Sequence, residues 1–235
     1  MTPKTTIIKS TFAGWNKKEI YWLCFCLVFT TIAGIISESS ALILIFSLLN
    51  IISLILAAKG KILTYVFGFI SAIMYAFISY KYDVFGQLIL AVFFLVPVQI
   101  YGWYNWRKPE NNTDKHEIKV KKMSLVQFNI LILAILVISA VYGYLVLHLY
   151  FGQNIGLFAD SIAEVATIVA FILTVLLYRE LWILWLIVDI LTITIWMDGV
   201  IDNAITIAII PVAITKIVAL VNAIYGYMSW RKFYK

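Results

Sequence analysis

Charge is scarce in this chain: Asp, Glu, Lys and Arg make up 13% of 235 residues against 63% apolar, and the mean hydropathy is +0.98. That composition lies outside the soluble globular range and makes lipid the solvent for most of the chain. Proline and glycine are few, four and eleven in all. Their scarcity argues against a loop-rich all-β protein, and the apolar runs are continuous, without the alternation of membrane barrel strands. There are two cysteines, Cys24 and Cys26. Two apart on one predicted helix, they point in different directions and cannot bridge without strain. With no CxxC pair and two scattered histidines, His116 and His148, no redox site, zinc site or other cofactor is expected. A Walker loop is lacking too. The first apolar run follows four lysines and ends without a small-residue cleavage pattern, so the first helix is expected to stay.

What is present is a series of long apolar runs. A bilayer core takes about 20 mostly apolar residues per helix, and the chain offers eight such runs, at residues 20–37, 41–58, 62–80, 84–106, 125–149, 161–178, 181–197 and 204–229. The fold class expected is an all-α polytopic membrane protein with eight spans. With the N-terminus inside, 16 of the 18 Lys and Arg residues fall in cytosolic segments; Lys81 lies outside and Lys216 within a span. The positive-inside bias therefore puts both termini in the cytosol, supports an even helix count, and accounts for the net charge of +6 without any nucleic-acid partner.

An internal repeat organises the chain. The fourth span ends Ile100, Tyr101, Gly102, Trp103, Tyr104, Asn105, Trp106, Arg107, Lys108, and the eighth ends Ile224, Tyr225, Gly226, Tyr227, Met228, Ser229, Trp230, Arg231, Lys232; six of nine positions are identical at an offset of 124. Interfacial aromatics and snorkelling cations alone would give the Trp, Arg and Lys. They would not give the shared Ile-Tyr-Gly start. Four helices separate the copies, so the repeat is parallel, as in one class of transporter. The reading is an N-terminal segment with an extra helix (1–37), a first three-helix repeat (38–108), a cytosolic linker with a reversing helix (109–150), and a second repeat with a basic tail (151–235). Lys59 and Arg179 echo each other at an offset of 120, which places a four-residue insertion in the outer loop from Met197 to Ala204. The linker from Pro109 to Lys122 reads as a solvated connector.

Polar residues inside spans are expensive and point to helix contacts or a functional cavity. At 1.5 Å per residue from the cytosolic ends, Asn50 lies roughly 13 Å deep, Gln99 roughly 10 Å, and Asp189 and Asn222 roughly 12 Å. Both repeats contribute, at one depth, where a two-repeat transporter holds its substrate. Trp182, Trp185, Asp189 and Trp196 follow spacings of three, four and seven and share a helix face. Trp182 also suits an ordinary interfacial belt. Trp185 with Asp189 suits a flat, cationic, polyhydroxylated solute: the ring stacks and the carboxylate accepts hydrogen bonds.

These segments resemble the PnuC-type nicotinamide riboside transporters over about residues 38–233. The carriers are Gln99-Ile100-Tyr101-Gly102-Trp103-Tyr104-Asn105-Trp106, Gln87-Leu88 upstream, and Trp182-Ile183-Leu184-Trp185 with Asp189. The resemblance implies a SWEET-like fold of three plus one plus three helices with an extra first helix, a homotrimer in a bacterial inner membrane, and facilitated diffusion of the unphosphorylated nucleoside, trapped by a cytosolic riboside kinase. It carries Trp182 and Trp185 over as substrate ligands, together with Gln99 and Asp189. Lys216 and Pro211 depart from the family pattern in the last helix. Thiamine is the alternative solute. An intramembrane enzyme using Asp189 or Glu164 is disfavoured because spacing places no second carboxylate beside Asp189; a structural or sensor protein is the remaining alternative, which solute uptake by vesicles containing only this protein would exclude. Whether Glu164 and Lys216 pair is open.

Overall fold

The structure is a computed structural model and describes residues 14–81, 85–111, 118–148, 155–201 and 210–233. Eight helices run through the described residues, close to the eight apolar runs. They are α1 (Lys17–Ile36), α2 (Ala41–Ala58), α3 (Thr64–Lys81), α4 (85–106), α5 (125–148), α6 (Ile155–Leu176), α7 (Leu181–Ile201) and α8 (Ile210–Phe233). Five of these are long and apolar enough to cross a bilayer by length and composition, namely α1, α2 and stretches of α4, α5 and α6; α7 is strongly apolar from Leu181 to Thr194. His116, Lys115 and part of the 197–204 loop lie outside the described residues, as do the side chains of Trp196 and His148.

Local chemistry sets the ends. Asn16 and Ser124 open α1 and α5 with capping boxes completed by Glu19 and Gln127, and Ser40 caps α2. The α2–α3 turn uses Gly60 at φ 63°, where glycine meets no Cβ penalty. The α6–α7 turn puts Leu177 at φ 66° instead. Two bonds hold it there: Lys121 N–H donates to the Leu177 carbonyl (2.7 Å) and Arg179 N–H to the Lys121 carbonyl (3.1 Å). The Leu177 side chain is fully buried, which offsets the strained backbone. The linker is thus not wholly solvated: Ile118 and Val120 are buried in the core and its end is pinned to this turn. Alternating apolar residues at 118 and 120 carry that signal in the sequence.

Six helices close a ring in the order α2, α3, α4, α6, α7, α8 and back to α2, while α5 packs outside on α6 and α1 outside on α2 and α8. Glu19 of α1 fastens this outer helix at the seam, bonding Lys59 at the end of α2 (2.9 Å) and the Tyr225 hydroxyl of α8. α1 and α5 present rows of exposed apolar side chains, Phe25, Val28 and Ile32 on one, Leu133, Leu136 and Val137 on the other, as lipid-facing helices do.

At the basic end of the ring, packing in one half recurs in the other. The Trp106 indole N–H donates to the Thr174 carbonyl (3.0 Å), and that of Trp230 to the Ala57 carbonyl (3.2 Å). Tyr65 lies on Gly102 and Trp182 on Gly226; a Cβ on either glycine would come within 2.1 Å and 2.6 Å of the ring above it. Residues 102 and 226, and 106 and 230, keep the offset of 124, whereas 57 and 174, 60 and 177, and 65 and 182 share an offset of 117. This corrects the pairing of Lys59 with Arg179. Basic residues gather at this face because of its electrostatics and do not mark register, whereas capped carbonyls and left-handed turn residues do.

Candidate functional site

Spacing on α7 puts Trp182, Trp185 and Asp189 on one face, and the ring closure turns that face toward α6 and α8. Trp182 is 3% exposed, edge-on to Trp230 at 5.6 Å, and its Nε1 has no hydrogen-bond partner among the described residues. Trp185 is half-buried and stands edge-on to Phe171 of α6 (5.1 Å, 87°), which in turn meets Phe94 of α4 (6.3 Å). Three helices from both halves therefore build one aromatic wall. Asp189 is 2% exposed and its Oδ2 has no hydrogen-bond partner among the described residues. Lys216 of α8 opposes its charge without a direct salt bridge between them.

On α8, Asn222 is 1% exposed; its Nδ2 donates to the Leu54 carbonyl of α2 (2.8 Å), and its Oδ1 has no partner among the described residues. The carbonyl partner fixes which end of the amide is free, because only the NH₂ donates. Asn50 of α2 donates to Ser71 Oγ of α3 at 3.4 Å. Gln99 of α4 is buried against Gly68, where a Cβ would stand 2.6 Å from its Oε1. Gln87 stands apart from these, toward the opposite face: its Oε1 accepts from the Tyr75 hydroxyl (3.0 Å) and its Nε2 donates to Glu164 Oε1 (2.9 Å). Glu164 therefore bonds Gln87, not Lys216, which answers the question of their pairing.

The packing sets Trp182, Trp185 and Asp189 of α7 against α8, which carries Asn222 and, within charge interaction of Asp189, Lys216. It sets Asn50 and Gln99 against α3. Sequence spacing missed Tyr65, whose buried hydroxyl is unpartnered like the Trp182 N–H at the matching position. It also missed a size exchange. Gly68 matches Trp185 and Gln99 matches Ala223 by the offsets of 117 and 124, so a small–large pair in one half corresponds to a large–small pair in the other. The unpartnered oxygens of Asp189 and Asn222 are acceptors. Buried acceptors without donors are costly, and hydroxyl or amide N–H groups are the donors that would satisfy them.

The family model described as "Nicotinamide mononucleotide transporter" matches residues 40–232. The nicotinamide riboside transporter PnuC of Neisseria mucosa is 33% identical over 227 residues, 95% of this chain and 84% of that protein. The protein of the same name from Haemophilus influenzae is 27% identical over 235 residues, covering 100% of this chain and 99% of that one. A solved structure titled as that of the vitamin B3 transporter PnuC superposes with a TM-score of 0.81 at 31% identity, covering 97% of each chain.

Proposed function

Because the chain belongs to the nicotinamide mononucleotide transporter family, we propose that it carries nicotinamide riboside across the bacterial inner membrane by facilitated diffusion, as a uniport. The observation that carries this reading is the pair of buried, unpartnered acceptors, Asp189 Oδ2 and Asn222 Oδ1, beside the aromatic wall of Trp185. Ribose hydroxyls and a carboxamide NH₂ are donors of the kind these atoms need, and a pyridinium ring is flat and cationic as Trp and Asp favour. Trp182, Gln99 and Asn50 complete the substrate contacts in this reading. The recurring packing of the two halves supports duplicated three-helix bundles, 38–108 and 151–235, that expose the site alternately. Glu164 is bonded to Gln87 and Lys216 offsets Asp189, so among the described residues no run of acids joins Glu164 to Asp189 as a proton relay. Accumulation then falls to a cytosolic riboside kinase, and the assembly is a homotrimer.

Purified protein in liposomes tests this. Titration with nicotinamide riboside, nicotinamide mononucleotide and thiamine should show the riboside bound most tightly, and the labelled riboside should equilibrate across the membrane. Tighter binding of thiamine or the mononucleotide overturns the substrate. Accumulation of an uncharged analogue under a proton or sodium gradient overturns the uniport.

Orientation is part of the proposal. The ends of α2, α4, α6 and α8 meet at one face with Lys59, Arg107, Arg179 and Arg231, and the positive-inside rule makes that face cytosolic. With Cys24 and Cys26 changed to serine, Ser124→Cys at the start of α5 should react with an impermeant maleimide in inside-out vesicles only. Labelling in intact cells reverses the topology.

A further inference from the structure

Gln87 and Gln99 share α4 but lie on opposite sides of a break in it. Pro97 has no N–H and its ring crowds the carbonyl of Phe93, and the turn Ala91–Leu95 takes π geometry. On the basic side of the break, Val96–Trp106 is fastened to backbone carbonyls of α6: Asn105 Nδ2 donates to Val175 (2.8 Å) and Trp106 Nε1 to Thr174 (3.0 Å). On the far side, the short piece Phe85–Leu90 carries Gln87, whose amide joins Tyr75 of its own bundle to Glu164 of the other. Parting the basic end strands buried carbonyls. Parting the far end frees the Gln87 amide and leaves Glu164 half-buried, still bonded to the Tyr142 hydroxyl of α5 and next to the exposed Asp160 one turn further out, so water can take over the lost bonds.

We propose that Gln87 and Glu164 are the latch of the outer gate and that the π turn with Pro97 is its hinge. When the latch parts, Phe85–Leu90 swings off α6 while Val96–Trp106 stays bonded. The inference rests on the transport reading and orientation above, and its test reads accessibility independently of which solute is carried.

In right-side-out vesicles, with Cys24 and Cys26 changed to serine, Thr167→Cys serves as reporter three residues inward of Glu164 on α6. Gln87→Leu is expected to speed its labelling by an external impermeant maleimide about three-fold to fifteen-fold, the range that membrane-embedded hydrogen bonds support. Glu164→Gln, which retains an acceptor for the Gln87 N–H, should fall between parent and Gln87→Leu. Adding Pro97→Ala to Gln87→Leu should reduce the gain by stiffening the hinge. Labelling at the parent rate in Gln87→Leu overturns the latch, whether or not the melting temperature falls; a fall in melting temperature alone marks a structural brace. If Gln87→Leu does not fold, Glu164→Gln and Tyr75→Phe decide on the same readout. Faster labelling without solute uptake would leave the latch standing and sink the transport reading; uptake with unchanged labelling would do the reverse.

Discussion

Trp230→Ala is expected to destabilise the protein by about 3–5 kcal/mol, and Trp106→Ala by a similar amount. Trp230 is fully buried, donates to the Ala57 carbonyl, stands edge-on to Trp182 and lies 5.8 Å from Trp106, whose ring meets Tyr65 at 4.9 Å. Four rings from α3, α4, α8 and α7 thus form a continuous row across the basic end, with the two matching tryptophans in contact at its middle. Truncating either opens a cavity and leaves a helix-end carbonyl without its donor. Trp230→Phe keeps most of the ring and should cost about 1 kcal/mol for the lost bond. Because the rings touch, the double alanine variant should be non-additive. The measurement is unfolding in mixed detergent micelles followed by helical circular dichroism. If Trp106→Ala is severe and Trp230→Ala is neutral, the two halves do not share the packing logic described for them.

That shared packing shows what was legible in the sequence. Each membrane helix satisfies its own backbone, so continuous apolar runs located all eight helices within a few residues at most ends. Larger errors came where apolarity and helix diverge: α6 is already helical at Ile155, ahead of its run at 161, and α7 continues to Ile201, past the end of its run at 197. Capping residues Asn16, Ser40 and Ser124 were there to be read. The Tyr-Gly motif recurs on α4 and α8, yet the residues that pack on its glycines, Tyr65 and Trp182, differ in identity and sit at another offset, so similarity alone did not join them. Gln87 illustrates the general limit. Its polarity and span predict that it needs partners, but the partner, Glu164, lies 77 residues away, and only the closing of the ring selects it over Lys216. The α4 break had a signal in Pro97, since a proline inside a helix removes one N–H and crowds a carbonyl.

Trp185→Ala is expected to weaken nicotinamide riboside binding about five-fold to 150-fold, the equivalent of roughly 1–3 kcal/mol for stacking a flat base on an aromatic ring. Trp185 suits this role better than Trp182 does. Trp182 has its ring face on Gly226 and its edge against Trp230, so its aromatic surface is committed to holding α7 on α8. Trp185 is half-buried, and Phe171 supports it from the side in an edge-on contact. A ring braced in one orientation loses little freedom when a solute arrives, which makes stacking effective. Trp185→Phe should therefore recover part of the affinity. Trp182→Phe, which keeps a smaller ring near Gly226 and removes the unpartnered N–H together with part of the indole, should leave stacking on Trp185 intact and report whether the indole edge meets the solute. Titration of each variant, with its melting temperature as a check on folding, separates these outcomes. A folded Trp185→Ala variant that binds the riboside as tightly as the parent would remove Trp185 from the site and leave Asp189 and Asn222 to be explained by some other donor.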